Sequence, residues 1–495
     1  MNPQPRFRLF SQSVVNLFGQ LAPMVVALFA IPSLISGLGV ERFGILTLAW
    51  LVVGYFSLFD LGLGRALTQV VAARLGILEH GLRATVQTAL IVMLALGLVG
   101  ALAAWLLTPR LVESVFKIPP PLIGETLKSF YILAVSIPVV ILTAGLVGIL
   151  TAYSRFGLIN WVRVPLGISN YLIPVLALKF TNDLSVIVGL LSLTRLLAAL
   201  VYWMLCRRCM SHLAGAASFD RDGLKILLKF GGWMTLTNIV GPIMIYMDRF
   251  VIGSVVSVSA VAFYATPFEM VTKLLIVPAA IVTVLFPALA VAVREIDRTE
   301  LVKLFDDSWR YVALALFPVV LFIITFSYEG LELWLGDTFA KESSTVLQLL
   351  ALGVMINAFA QLPFTLIQSA GKPDITAKLH LIELLFYVPC LWMALKTFGI
   401  VGAAATWTLR VVVDGALLSR ATARLVVETR KTLWDICRFV AVASSALCLI
   451  ILAESLVQRV ALFCVLAIMF FWATIRLQIL PSQFRSRLGL DVADN

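Results

Sequence analysis

The sequence predicts an all-α polytopic membrane protein of about 14 transmembrane helices, two parallel six-helix bundles plus two additional C-terminal helices. Three observations predict it. Hydrophobic residues make up 61% of the chain and charged residues only 13%, with a mean hydropathy of +1.01, far from the composition of water-soluble domains. Apolar stretches follow one another with short connections along all 495 residues, which at about 20 residues per span leaves no room for a sizeable soluble domain. Lysine and arginine, finally, crowd into alternate connections.

Taken in order, the first span, centred near Met24, begins near Val14 after Arg6 and Arg8 and runs apolar to about Ile35. It is longer than the apolar stretch of a signal peptide and has no small-residue cleavage site behind it, so it reads as an anchor that stays. Spans centred near Leu51, Leu96, Val139, Ile173 and Ser192 complete a first bundle, residues 1–206. Residues 207–229 read as a cytoplasmic linker in which Asp222 can cap the next helix. The second bundle, residues 230–424, has spans near Gly241, Leu275, Leu316, Val354, Val388 and Thr408. Residues 425–495 add two helices, near Ser445 and Ala467, and a cytoplasmic tail.

With these spans, basic residues favour the side holding both termini by about three to one, which makes that side cytoplasmic. A span missed in mid-chain would swap every later loop and blur the ratio. Topology also explains most of the net charge of +11, so no nucleic-acid partner is implied.

Internal repetition supports two bundles in the same orientation. The run Leu34-Ile-Ser-Gly-Leu-Gly-Val-Glu-Arg-Phe-Gly can be set against Val251-Ile-Gly-Ser-Val-Val-Ser, each a tight turn into a second long helix. Leu17-Phe-Gly-Gln aligns with Lys229-Phe-Gly-Gly at an offset of 212, and Arg195 with Arg410 at 215. Parallel repeats about an axis along the membrane normal are an arrangement some secondary transporters use, with cargo bound where the halves meet.

Charged residues inside the spans are where function is to be sought: Asp60, Arg65, Arg195, Asp248, Arg249, Glu269, Lys273, Arg410 and Asp414. Each costs roughly 2.5 to 3.5 kcal/mol at a helix centre, so an ionisable group there marks a pathway or a partner. Five are basic, which points to an anionic cargo. Asp60 and Arg65 straddle Gly62 and Gly64 and do not share one face of a regular helix, and Arg65 can also snorkel to the surface. Asp248 and Arg249 diverge by about 100°, so only one of them can face a lumen directly. Glu269 and Lys273, and Arg410 and Asp414, stand four residues apart, the spacing of a local ion pair. Arg195 and Arg410 read as equivalent structural bolts of the two halves. Pro23, Pro32, Pro242, Pro267, Pro278 and Pro287 supply kinks that either flex during transport or shape a static groove.

The segments Glu41-Arg-Phe-Gly-Ile-Leu-Thr47, Phe59-Asp-Leu-Gly-Leu-Gly-Arg-Ala-Leu-Thr-Gln69 and Tyr246-Met-Asp-Arg-Phe-Val-Ile-Gly253 resemble signatures of bacterial Wzx-type polysaccharide flippases, of the multidrug, oligosaccharidyl-lipid and polysaccharide exporter superfamily. The resemblance extends over nearly the whole chain. It implies the movement of polyprenyl-pyrophosphate-linked oligosaccharide repeat units from the cytoplasmic to the periplasmic leaflet of the bacterial inner membrane, for O-antigen, capsule or exopolysaccharide. Implied with it are a monomer in the lipid bilayer, working beside a polysaccharide polymerase and assembly proteins. In the family fold the first two helices of each half face a central cavity, which assigns substrate binding to Arg65, Arg249 and Lys273. Asp60, Asp248, Glu269, Arg195, Arg410 and Asp414 are then candidate ion-coupling or charge partners. The run Thr266-Pro-Phe-Glu-Met-Val-Thr-Lys273 departs from the family pattern in carrying two charges.

The physics agrees with such a cargo. A diphosphate and a glycan cannot cross about 30 Å of hydrocarbon unaided, whereas prenyl carbons need not leave it. A cationic cavity opening by alternating access shelters the head through charge-assisted contacts, for which arginine has the better fork. No cofactor is called for: Gly371-Lys-Pro lacks the spacing of a phosphate-binding loop. Cys206-x-x-Cys209 has no second pair for zinc, and His80, His212 and His380 read as isolated. A drug/cation antiporter would want an acidic or aromatic pocket. A membrane glycosyltransferase or polymerase, an enzyme, would want a larger outer domain than the longest loops expected here, Thr108 to Lys128 and Tyr328 to Ser344.

Overall fold

The computed structural model describes residues 4–58, 62–74, 82–210, 220, 243–244, 246–295 and 297–476. Every regular element among them is a helix. In chain order these are α1 Gln4–Leu58, α2 Leu63–Arg74, α3 Leu82–Arg110, α4 Ile123–Ala152, α5 Phe156–Ala177 and α6 Leu184–Cys209. There follow α7 Val258–Thr272, α8 Ile276–Glu295, α9 Arg298–Thr325, α10 Ser327–Leu335, α11 Asp337–Ser369, α12 Pro373–Leu425, α13 Arg430–Ile451 and α14 Leu456–Arg476. The chain is a multi-pass membrane protein: among the described residues, 10 stretches are long and apolar enough to cross a bilayer.

Two of these helices are too long to be single spans. At 1.5 Å per residue, the 55 residues of α1 and 53 of α12 would each extend about 80 Å, more than twice the hydrocarbon thickness. Each is broken at a glycine, α1 at Gly39 (φ 79°, ψ 161°) and α12 at Gly399 (φ 58°, ψ −144°). Positive φ is costly for any residue with a Cβ, so glycine permits a change of direction with almost no loop. The spans predicted near Met24 and Leu51 are the two arms of α1, and those near Val388 and Thr408 are the two arms of α12.

Contacts divide the chain into two compact units, Met1–Ala262 and Phe263–Asn495. In the first, α4 is the central helix, with α1, α2, α3 and α6 packed on it. Leu67, Val86, Met93, Ile141, Ile149 and Cys206 form its core. The segment ahead of α7 belongs to this unit as well: the Lys117 N–H donates to the Gly253 carbonyl at 3.0 Å and Phe250 stacks on Phe116. Gly44 lies directly against the Val258 carbonyl, where a Cβ would stand 1.9 Å from the oxygen.

Three helices of this unit are clasped at one end. Arg42 Nε sits 3.1 Å from both carboxylate oxygens of Glu125, and Glu125 also accepts the Leu184 N–H at the start of α6. Asp183 caps that same helix through the Ser185 N–H and hydroxyl, and the Ser185 hydroxyl holds its carboxyl below the usual range. The cap therefore stabilises above the ordinary carboxylate pKa and is lost as pH falls through the lowered value. Glu125→Ala is expected to lower stability by about 1 to 3 kcal/mol, measured by thermal unfolding in detergent. Adding Arg42→Ala to it should cost little more, because the two share one contact.

In the second unit α11 is the central helix, with Leu350, Val354 and Leu362 fully buried along it. Proline sets local geometry here. Pro267 has no N–H for the Phe263 carbonyl, and the Ser343 hydroxyl donates to that oxygen instead, at 2.8 Å. Pro278 likewise leaves Leu274 without its helical donor, and Lys273–Leu275 forms a 3-10 turn between α7 and α8. The last two helices are fastened by aromatic contacts of Phe439 with Trp309, Phe317 and Phe359. The Arg459 fork adds to this, reaching both Glu329 carboxylate oxygens and the Thr325 carbonyl.

The segments expected as the longest outer loops are largely helical. Tyr328 to Ser344 forms most of α10 and the start of α11, and Thr108 to Lys128 contains a π turn, Leu111–Val115, a 3-10 turn, Pro120–Leu122, and the start of α4. Backbone groups near a membrane have few other partners, so even short connections wind into helical turns.

Candidate functional site

A partly open cavity of about 310 Å³ lies within the first unit, between the second arm of α1 and helices α4, α5 and α6. Its wall is of two kinds. Val53, Val140, Val147, Ile159 and Leu166 make an apolar side, while Thr143, Arg163, Arg195 and Tyr202 supply polar atoms. Arg195 projects from the middle of α6 because a run of leucines carries the helix through the apolar layer on either side of it. Its Nη2 donates to the Asn170 side-chain oxygen on α5 at 3.2 Å. The Tyr202 hydroxyl is fixed by donation to the Ile159 carbonyl at 3.1 Å.

The electrostatics of this cavity are one-sided. Among the described residues no carboxylate pairs with Arg163 or Arg195; the partner of Arg195 is a neutral amide. A guanidinium has five N–H donors, so one bond to Asn170 leaves most of the fork for an anion. Two arginines beside a hydrocarbon wall suit a ligand with a charged head and an apolar body.

The sequence-predicted residues fall in different places. Arg65 is exposed on α2, three residues before Thr68, whose hydroxyl donates to the Gly148 carbonyl on α4, next to Val147 of the cavity wall. Arg249 and Asp248 are buried, at 3% and 0% exposure; the Arg249 guanidinium lies over the Tyr246 ring, and its backbone N–H donates to the Asp248 carboxylate at 2.8 Å. Lys273 pairs with Glu269 at 3.3 Å, both about half exposed, as the four-residue spacing predicts. Arg410 lies over the Tyr387 ring, 5.5 Å from its centroid, and among the described residues no ion pair joins it to Asp414, the partner its four-residue spacing suggests. Asp60, Asp222, His80, His212 and Pro242 lie outside the described residues.

Three residues of note, Arg163, Asp220 and Glu383, are not singled out by the sequence, and a fourth, His380, reads there as isolated. A span centred near Ile173 leaves Arg163 at its edge, whereas α5 begins at Phe156 and carries Arg163 into the cavity wall. Asp220 of the linker docks on α3, its carboxylate accepting from the Thr85 hydroxyl at 2.6 Å and its N–H donating to Thr88 at 2.8 Å. His380 is not isolated: its Nε2 is 3.5 Å from Asp414 Oδ1. Glu383, buried beside them, completes that group. No cluster of three or more histidine, cysteine or acidic residues suited to a metal occurs among the described residues.

Residues 38–344 match the family described as polysaccharide biosynthesis protein. A Shigella flexneri protein named "Putative O-antigen transporter" is 32% identical over 410 residues, spanning 83% of this chain and 96% of that one. Two solved structures share the fold at low identity. An inward-facing multidrug resistance MATE family transporter of the MOP superfamily superposes with a TM-score of 0.69 at 17% identity, over 84% of this chain and 99% of that one. The lipid II flippase MurJ, inward closed, gives 0.68 at 14% identity, over 94% of this chain and all of that one.

Proposed function

We propose, from the premise that this chain belongs to the polysaccharide biosynthesis protein family, that it is a lipid-linked oligosaccharide flippase. Its cargo is a polyprenyl-pyrophosphate-linked repeat unit, moved from the cytoplasmic to the periplasmic leaflet of the inner membrane for surface polysaccharide. The observation that carries this reading is the cavity holding Arg163 and Arg195 with, among the described residues, no carboxylate paired to either. Two pyrophosphate charges find fork donors there, and the apolar wall accepts prenyl carbons that need not leave hydrocarbon. Arg65 is the exposed cation through which cargo first engages, with Lys273 available once Glu269 releases it. Arg249, buried against the Tyr246 ring, acts on cargo only after its segment moves.

The chain works as a transporter, with no nucleotide hydrolysed, and both termini lie in the cytoplasm. The MATE-like fold also suits a drug/cation antiporter, but two unpaired guanidinium groups repel a cationic drug. Deleting the gene tests the choice: lipid-linked repeat units should accumulate on the cytoplasmic leaflet while surface polymer disappears. Normal polymer with new drug sensitivity would sink the flippase reading.

A further inference from the structure

The second unit holds a buried polar group that anion binding does not use. Gly399 divides α12 into two arms, and Glu383 stands 16 residues before it and Asp414 15 after. On antiparallel arms those positions are level, as are Tyr387 and Arg410, 12 before and 11 after. The register is fixed by two contacts between the arms, His380 Nε2 to Asp414 Oδ1 at 3.5 Å and the Arg410 guanidinium over the Tyr387 ring at 5.5 Å, with Glu383 one turn from both His380 and Tyr387. Glu383 is 6% exposed and Asp414 8%. With both carboxyls ionised, neither Glu383 oxygen has a donor, and Asp414 Oδ1 has only the imidazole at 3.5 Å. Two facing carboxylates with no donor between them in a buried site repel strongly, and one proton converts the repulsion into a hydrogen bond.

We propose that Glu383 and Asp414 form a binding site for one proton, loaded from water through His380. The His380 ring is 31% exposed and held by Phe364, which stacks on it at 5.9 Å and 12°. It therefore has one edge uncovered by protein and the other on Asp414. An imidazolium N–H passes its proton to the Asp414 carboxylate, the imidazole becomes neutral, and the new carboxyl donates to Glu383. Charge is conserved within the group: two carboxylates with His380⁺ and Arg410⁺ sum to zero, and so do one carboxylate, one carboxylic acid, neutral His380 and Arg410⁺. Moving the proton inward thus creates no net charge in the apolar layer, which is the condition for such a site to work there.

The surroundings favour a proton over a metal ion. Arg410 acts on Glu383 as a positive charge and repels any cation that would need both carboxylates. From Ser343 to Ser369 α11 carries no charged residue, presenting Phe364 to His380. On α7, Phe268 contacts Trp407, and the nearby Glu269 and Lys273 pair with each other. On α13, Cys437 faces Ser419 and Arg430 donates to the Ala423 carbonyl. Lys378 is taken up by Asp374 at 3.1 Å. Proton binding is independent of the cargo; only its use as the coupling ion rests on the flippase reading.

The test is difference infrared spectroscopy of the full chain in lipid nanodiscs, titrated with pH in light and heavy water. A protonated-carboxyl stretch that shifts in heavy water is expected, lost in the Glu383→Gln, Asp414→Asn double variant, and slower to appear after a pH jump in His380→Gln. Each single variant should shift or remove the band, which keeps the test open if the double variant does not fold. Persistence of the band in the double variant, or its absence from the native chain, overturns the proposal. Loss of the band on adding sodium at constant pH would make this a sodium site and overturn it equally. No cargo enters these measurements, so their failure is distinct from failure of polymer export in the gene deletion.

Discussion

Arg195→Ala is expected to reduce surface polymer by roughly 10- to 100-fold at unchanged protein level, the factor that follows from losing a charge-assisted contact of about 1.5 to 3 kcal/mol. The side chain costs the folded protein energy in an apolar layer and its partner is the Asn170 amide, so removing it should leave stability equal or raised. That separation of function from stability is the useful feature. Arg195→Lys keeps the charge and loses the fork, so it should fall between native and alanine. Arg163→Ala should show the same direction with a smaller effect, because Arg163 is exposed and water competes for it. Polymer is measured at the cell surface and protein by immunoblot of membranes. Full export by Arg195→Ala would remove this cavity from the transport path.

Gly44→Val should abolish the folded protein itself. A Cβ at Gly44 would stand 1.9 Å from the Val258 carbonyl oxygen and 2.8 Å from its carbon, and both are backbone atoms that no rotamer change can move aside. Overpacking at such a point costs about 3 kcal/mol or more, a large share of a typical domain's stability. Size-exclusion of a fluorescent fusion should give no monodisperse peak. Gly124→Ala is the control: a Cβ there meets nothing within 4 Å and lies in the first turn of α4, so it should be neutral or slightly stabilising. Monodisperse Gly44→Val would mean that the segment carrying Val258 is not held against Gly44.

These residues mark where sequence reading succeeds. The spans were legible because each is a long apolar run bounded by arginine or lysine, and hydrocarbon admits little else. The motif Glu41-Arg-Phe-Gly was legible as special, but its reasons are tertiary: Arg42 clasps Glu125, Phe43 is buried at 2%, and Gly44 meets a carbonyl. Arg195 stood out as a charge in an apolar run. Arg163 did not, because it lies at the edge of the span expected near Ile173, and only the earlier start of α5 at Phe156 places it in the cavity wall. Glu383 and His380 escaped for a different reason. Local spacing rules compare residues three or four apart, whereas Glu383 and Asp414 stand level across the turn at Gly399, and only a hinge placed there brings their nearly equal distances from it into view.

The Arg42–Glu125–Leu184 clasp has a consequence for synthesis. Its three members lie on α1, α4 and α6, so a ribosome must deliver most of the first unit before the contact can close. Until α6 arrives, Glu125 is a carboxylate at a helix start with one of its donors missing. A nascent chain halted before Leu184 therefore has an unfinished seam between α1 and α4, and the arrival of α6 locks what was inserted earlier. The clasp is a latch in time as well as in space, since it can close only after Leu184 has been made.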